Sequence, residues 1–435
     1  MSAPAPAAAP GRAAVATMND RVAVVVDGYS TGALYAPAFT AFGIGSVHVA
    51  NDAEHSAAAL RTFVPATYRA CYRFDGDLPG LLRELTAHQV HWVVAGTESG
   101  VELADRLAES LGLRRNNQAA TAEARRDKLA MQRALTAAGV PAGWHAAAAT
   151  PEEAGEAVRA HGNGTAIVKP LRSAGTDGVH VVDDAEAAAQ AAAELLRART
   201  IYGHGNATVL VQQYLDGDEY MVNCLSVDGH HTVTEIWRSV KVQIGSAPVY
   251  DYTELVPAEE PEVRAVVRYV GAVLDALGTR WGPSHTEVIL TGQGPLLVES
   301  AARPQGTIDV SAVTRATGRN PVVDAVHAMI DPELYAAGPP AAPVRRAARG
   351  VSFICPATGR LRKDLDWARV RALDSFHSLL APAGRAGEYV TRTCDLFNRP
   401  GAVYLVHDDP AVVARDHAAI RFWEAHDFYD IEPAD

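Results

Sequence analysis

The chain has 435 residues, too many for one hydrophobic core, so two to four domains are expected. It is 48% hydrophobic and 21% charged, an ordinary soluble composition, and its formal charge of −12 argues against nucleic acid or an anionic membrane as the main partner while leaving room for a nucleotide held by local positive charge. Cys71, Cys224, Cys355 and Cys394 are scattered without metal spacing, which fits a reducing cytoplasm; the apolar runs are too short to span a bilayer, and the N-terminus lacks the basic and apolar regions of a signal peptide.

Residues 1–20 are Ala/Pro-rich and read as a disordered tail, with Met18 a second candidate start. Structure is expected from Arg21. VAVVV (22–26) has the continuous apolar run of a buried parallel strand; DGYSTG (27–32) is a turn and residues 33–43 a helix. SVHVA (46–50) is a strand, 78–89 a helix, 90–96 a strand and 99–113 an amphipathic helix. This alternation predicts a Rossmann-like parallel sheet over 21–118, with DGYSTG and GTES (96–99) at strand C-termini, where such sheets bind ligands. Neither loop matches GxGxxG, so each reads equally well as a plain βα turn.

A linking helix is predicted over 121–139, with Lys128 inside it and solvated by charge pattern alone. A small α+β unit follows: strand TAIVKP (165–170) with Lys169 in an apolar run, loop LRSAGTDGV (171–179), strand HVV (180–182), an alanine-rich helix (185–199) and strand TVLVQQYL (208–215). A strand lysine before a loop of small residues suits phosphate, since backbone N–H groups can approach the oxygens; the loop serves equally as a hairpin. Residues 212–229 read as strand, turn, strand, with Glu219 after the turn. Segment 235–243 carries Arg238 and Lys241, either meeting a substrate carboxylate or exposed, and 261–278 is an amphipathic helix ended by Gly278.

Next comes HTEVILTGQGPLLVESAARPQG (285–306), read as a hairpin and polar loop. Pairing Leu290 with Leu296 across a five-residue loop sets Glu287 opposite Glu299, side chains roughly 5 Å apart, with Val288, Leu290, Leu296 and Val298 on the other face. Two facing carboxylates repel, and a divalent cation between them offsets this; oxygen-only ligands suggest Mg²⁺ or Mn²⁺, with substrate phosphates as further ligands. Arg303, four residues beyond, suits a phosphate or an anionic intermediate. The alternative is an edge hairpin with two surface glutamates. His285, beside this strand, is a candidate base or a structural histidine. A loop follows, then a helix over 322–330, a Pro/Ala linker (338–348), and a β-rich C-terminal piece (GVSFICPA, EYVTRTC, AVYLVHDD) ending in a helix over 410–426, without evident chemistry.

In order along the chain, Lys128 in RRDKLAMQ, IVKP, SAGTDGV, VLVQQYLDGDEY, HTEVIL and VESAARPQG resemble the motifs of the ATP-grasp carboxylate–amine ligases, and among them most resemble the L-amino-acid ligases that make dipeptides. GTESGVELADRLAESLGL is similar to the domain that precedes the ATP-grasp fold there. The resemblance spans about 21–435 and implies an α/β fold: the Rossmann-like domain over 21–118, an ATP-grasp domain over 119–340 with a lid at about 145–215, and a C-terminal α+β subdomain over 341–435. It implies that Lys128 and Lys169 hold the α- and β-phosphates of ATP and that Ser173, Ala174, Gly175 and Thr176 close over them. Gln212, Tyr214 and Leu215 would line the adenine, Glu219 bind ribose, Glu287 and Glu299 hold Mg²⁺ or Mn²⁺, and Arg303 stabilise the acyl phosphate. His285, Arg238, Lys241 and Gly306 are candidates toward substrate. Two departures stand out: Gln212 replaces a common glutamate, and Ala301 replaces the Asn of the E-x-N pattern, which removes one metal ligand.

The implied reaction joins a small carboxylate and an amine, with amino acids as the expected substrates, through an acyl phosphate with release of ADP and phosphate. The implied setting is the cytoplasm, with a homodimer as a candidate assembly. Alternatives are a ligase for a specialised natural-product acid, a biotin-dependent carboxylase component, for which no carrier segment is seen, and a nucleotide-binding sensor without turnover.

Overall fold

The computed structural model describes residues 20–175, 177–244, 247–336, 341–381, 384–394 and 398–433. Four parallel strands open the fold, β1 (Val22–Val26), β2 (Gly45–Ala50), β3 (Ala70–Arg73) and β4 (Val90–Ala95), in the order β3-β2-β1-β4. The unbroken apolar run of β1 follows from its burial on both faces. Val22, Val24 and Val26 pack with Leu81, Leu85 and Leu107, and Ala23 and Val25 with Tyr35, Phe39 and Trp92. The second cluster also contains Val322 and Val326 of the helix Pro321–Ile330, so this sheet shares a core with the middle of the chain. Its two C-terminal loops cross closely: a Cβ on Gly32 would run into the backbone of Gly96, and one on Gly96 into Asp27 and Gly28.

The lid unit is an antiparallel sheet of β5 (His145–Ala148), β6 (Ala166–Pro170), β7 (His180–Val182) and β8 (Val209–Gln213), in the order β5-β8-β6-β7. The helices Pro151–Ala160 and Ala185–Arg197 pack on it through small residues, with Ala154, Ala188, Ala191 and Ala192 in the core.

The central sheet contains β9 (Gly217–Val227), β10 (His230–Ile244), β11 (Ala247–Leu255), β12 (Gly282–Thr291), β13 (Gly294–Ala301) and β14 (Ala347–Ser352). Beyond β15 (Gly359–Leu361), β16 (Phe376–Leu380) and β17 (Tyr389–Val390), strand β18 (Ala402–His407) returns to it, and β19 (Ile431–Pro433) pairs with β15. The eight-stranded order is β13-β12-β9-β10-β11-β14-β18-β16. The C-terminal piece therefore supplies three strands of the same sheet as the glutamate hairpin. Side chains alternate across it. Tyr220, Val222, Val288 and Leu297 pack under the helices Lys128–Ala137 and Pro261–Ala276, while Met221 and Trp237 pack on the other face with Ala312 and Val313 of the helix Val310–Thr317.

Three local expectations change. The single helix predicted over 121–139 is a 3-10 segment, Ala119–Arg125, followed by a helix starting at Lys128, because Asp127 caps the new helix by accepting from Leu129 N and Ala130 N at 3.0 and 3.1 Å. The loop expected after Arg303 contains a helix, Val310–Thr317, capped by Asp309 and closed by Gly318 at φ +78°. Strands β3, β5 and β11 and the helix Pro151–Ala160 are among the additions to the predicted elements; β11 forms where β10 and β14 flank it on either side. Among the described residues no helix is long and apolar enough to cross a membrane.

Candidate active site

The hairpin β12–β13 sets Glu287 directly opposite Glu299, but by a different register from the one expected. Thr291 pairs with Gly294 across the turn Gly292–Gln293, so Leu290 faces Pro295 and Ile289 faces Leu296. One extra residue, Val298, bulges from β13 and restores the phase, so Val288 faces Leu297 rather than Val298 as the expected register had it. The tighter turn and the bulge cancel at the glutamates. The bulge also presents the Val298 carbonyl 3.5 Å from Lys169 Nζ.

Lys128 is not solvated. As the first residue of the helix capped by Asp127, it is buried, with Nζ 2.6 Å from Glu299 Oε2 and donating to the Ser173 carbonyl at 2.8 Å. Lys169 is buried beside it; burial and the charge of Lys128 push its pKa down to about 8, against the pull of Glu299 and Glu287. Burial alone would raise the Glu299 pKa, but Lys128, Lys169 and Arg303 outweigh it and hold the carboxyl well below its usual range. Two cations thus crowd one carboxylate, an arrangement primed for a polyanion. Among the described residues no three or more His, Cys, Asp or Glu side chains converge as a metal set. Two carboxylate oxygen donors with lysines behind them suit a Mg²⁺ ion that takes its other ligands from phosphate.

Arg303 is buried, and its Nε and Nη2 lie 3.0 and 2.9 Å from Glu98 Oε2. Arg126 lies 3.5 Å from the other Glu98 oxygen. Glu98, which binds Arg303 and Arg126, is the charged neighbour of the candidate site that motif reading passes over. Its signal was the position of GTES at a strand C-terminus of the parallel sheet.

The remaining candidates divide. Ser173 bonds Asp177 through its hydroxyl, Gly175 sits at φ +63°, Ala174 lies beside it, and Thr176 falls outside the described residues. Gln212 is buried on β8 with Oε1 unpartnered; Leu215 is buried and Tyr214 exposed. Glu219 takes Lys241 Nζ at 2.5 Å and the Tyr250 hydroxyl at 3.2 Å. Gly306 lies by Ser30, whose hydroxyl accepts from Thr307 N at 3.1 Å. Arg238 is not brought to the site: it pairs across the sheet with Tyr220, on the face away from Glu219 and Glu287, and is ion-paired to Glu254.

His285 Nε2 lies 3.2 Å from Glu287 Oε1, and its Nδ1 lies 2.8 Å from Asn223 Oδ1. Asn223 Nδ2 donates to Glu235 Oε1 and Gln305 Oε1, both at 2.7 Å. With those hydrogens committed, Asn223 Oδ1 is an acceptor, so the hydrogen of that contact is on His285 Nδ1.

Residues 126–240 match the family model of the phosphoribosylglycinamide synthetase ATP-grasp (A) domain. The chain is 30% identical to dapdiamide A synthase of Enterobacter agglomerans, across 95% of this chain and 98% of that one. Its fold is similar to that of an L-amino acid ligase from Bacillus licheniformis, at a TM-score of 0.74 and 17% identity, covering 97% of this chain and all (100%) of the other. It is also similar to N5-carboxyaminoimidazole ribonucleotide synthetase from Thermotoga maritima, at a TM-score of 0.64, 14% identity and coverage of 95% and 100%. The chain belongs to the ATP-grasp carboxylate–amine ligases. It is an ATP-dependent enzyme that forms an amide bond between a small carboxylate and an amine.

Proposed function

We propose that the protein joins two amino acids, activating the carboxylate of one as an acyl phosphate. The observation that carries this reading is the convergence of Lys128, Lys169 and Arg303 on the facing pair Glu287 and Glu299. Full-length similarity to dapdiamide A synthase and a shared fold with an L-amino acid ligase support it.

In this reading Lys128 and Lys169 hold the α- and β-phosphates, and Ser173 to Thr176 cover them. Gln212, Tyr214 and Leu215 line the adenine and Glu219 meets the ribose. Glu287 and Glu299 would hold Mg²⁺, which would supply charge neutralisation for the transferring phosphoryl group. A carboxylate oxygen of the first substrate attacks the γ-phosphorus, the bond to the β–γ bridging oxygen breaks, and ADP leaves. The amine nitrogen of the second attacks the acyl carbon, Arg303 holds the oxyanion, and the C–O bond to phosphate breaks as the amine proton passes to the departing phosphate. Glu98 fixes the Arg303 guanidinium from two nitrogens. The lid excludes water that would hydrolyse the acyl phosphate. Scattered cysteines without metal spacing suit a reducing cytoplasm, and the reading includes a homodimer, which sedimentation tests.

The test is ADP and phosphate release from Mg·ATP across the twenty amino acids in pairs, with mass spectrometry of products. A mass equal to two amino acids minus water is expected. AMP and pyrophosphate in place of ADP would overturn the acyl-phosphate route.

A further inference from the structure

Beside the reacting centre lies a small cavity of about 20 Å³, largely apolar but with a few polar side chains in its wall, room for roughly one water or one ammonium group. Its walls come from β9, β10, β12, the DGYSTG loop and the loop that carries Arg303, and include Thr31, Asn223, Glu235, Ser284, Pro304 and Gln305. Three buried oxygens of these residues have no hydrogen-bond partner among the described residues: Glu235 Oε2, Thr31 Oγ1 and Ser284 Oγ. Glu235 is 5% exposed, and its one hydrogen bond from another strand comes from the neutral Asn223 amide to Oε1. Among the described residues no cation is among the groups that shift its titration; its one charged neighbour there is the Asp324 carboxylate. Burial pushes its pKa up to about 7, against the Thr234 and Asn223 side chains, which pull it down.

A buried carboxylate without a cation is costly and, in a folded core, is either neutral or completed by a positively charged ligand. All three unpartnered groups can accept a hydrogen bond, and a primary ammonium has three hydrogens to give and no lone pair. The cavity also adjoins the chemistry. Asn223 bonds at once to Glu235, to Gln305 two residues beyond Arg303, and to His285 next to Glu287.

Resting on the ligase reading, we propose that Glu235, Thr31 and Ser284 form a subsite for the free ammonium group of the amino acid whose carboxylate is activated. That amino acid carries its own nucleophile. Ionised Glu235 keeps the group as ammonium, which has no lone pair to attack with. The subsite therefore selects acids bearing a primary amine and keeps that amine silent while the second substrate's amine reacts.

The experiment is calorimetry on the full chain loaded with Mg·AMP-PNP. The twenty amino acids are screened, and the tightest binder is compared with its analogue carrying hydrogen in place of the ammonium group. The parent is expected to prefer the amino acid by about 100-fold, a size that loss of a buried charge pair gives. Glu235→Gln, which keeps shape and removes charge, should bring the ratio near one without changing the AMP-PNP affinity, and Glu235→Asp should retain part of the preference. An unchanged ratio in Glu235→Gln, or no preference in the parent, overturns the subsite. Should the variants not fold, the N-acetylated amino acid tested on the parent still decides: binding as tight as that of the free amino acid refutes the proposal. Failure here is separable from failure of the ligase reading, because ADP release by the parent reports that reading independently.

Discussion

Glu299→Gln tests the site most directly. Glu299 Oε2 lies 2.6 Å from Lys128 Nζ, with side chains 13% and 8% exposed, and Lys169 is buried next to them. Removing the carboxylate charge leaves two buried lysines that repel, and breaking a buried pair in this way costs about 3 kcal/mol of stability. Lys169, already pushed down to about 8, would then lose more of its charge near neutral pH, which limits the damage. The variant is expected to fold and to melt several degrees lower in a thermal denaturation series. Inorganic phosphate should raise its melting temperature more than the parent's, because an anion now does what Glu299 did. Mg²⁺-dependent ADP release should fall by about 100-fold or more, since losing even a residue that only supports a metal ligand costs about 10- to 100-fold. A variant with the parent's melting temperature and the parent's Mg²⁺-dependent turnover would refute both the charge argument and the metal role.

Lys169 must be protonated to hold a phosphate, and phosphate raises its pKa, so binding takes up a proton above about pH 8. ATP affinity of the parent should fall as pH rises from about 7 to about 9.5, approaching tenfold per unit, and Lys169→Arg should flatten the profile, measured by calorimetry with AMP-PNP; a flat parent profile contradicts this. Glu98→Gln should lower kcat by about 10- to 100-fold with little change in the KM for ATP, since it loosens Arg303 and not the lysines; a pure KM effect would assign Glu98 to substrate binding instead. Arg238→Ala is expected to leave kcat/KM within about threefold of the parent, because its ion pair with Glu254 lies on the face away from the site. A large loss in steady-state kinetics would put Arg238 back in the site.

Some of this molecule was legible in one dimension. Continuous apolar runs such as VAVVV mark buried parallel strands, because burial on both faces removes the polar alternation. Ordered motifs around Lys128, Lys169, Glu287, Glu299 and Arg303 pointed to the ligase family, since phosphate chemistry needs those charges whatever the details of packing. The facing of Glu287 and Glu299 was readable too, although the turn and the bulge were not: a one-residue register shift depends on neighbouring strands, and β9 pairs with β12 along its whole length.

Tertiary structure decided the rest. Lys128 reads as a solvated helix lysine until Asp127 restarts the helix and Glu299 comes to meet it. Arg238 and Lys241 look equivalent in sequence, yet the strand pairing puts one beside Glu254 and the other on Glu219. Glu98 gains its role from Arg303, 205 residues away in the chain. Glu235 carried no motif at all; it became a candidate when three strands and two loops closed a cavity around its unpartnered oxygen. A sequence records which charges are present, and packing alone sets which of them are left without water and without a partner.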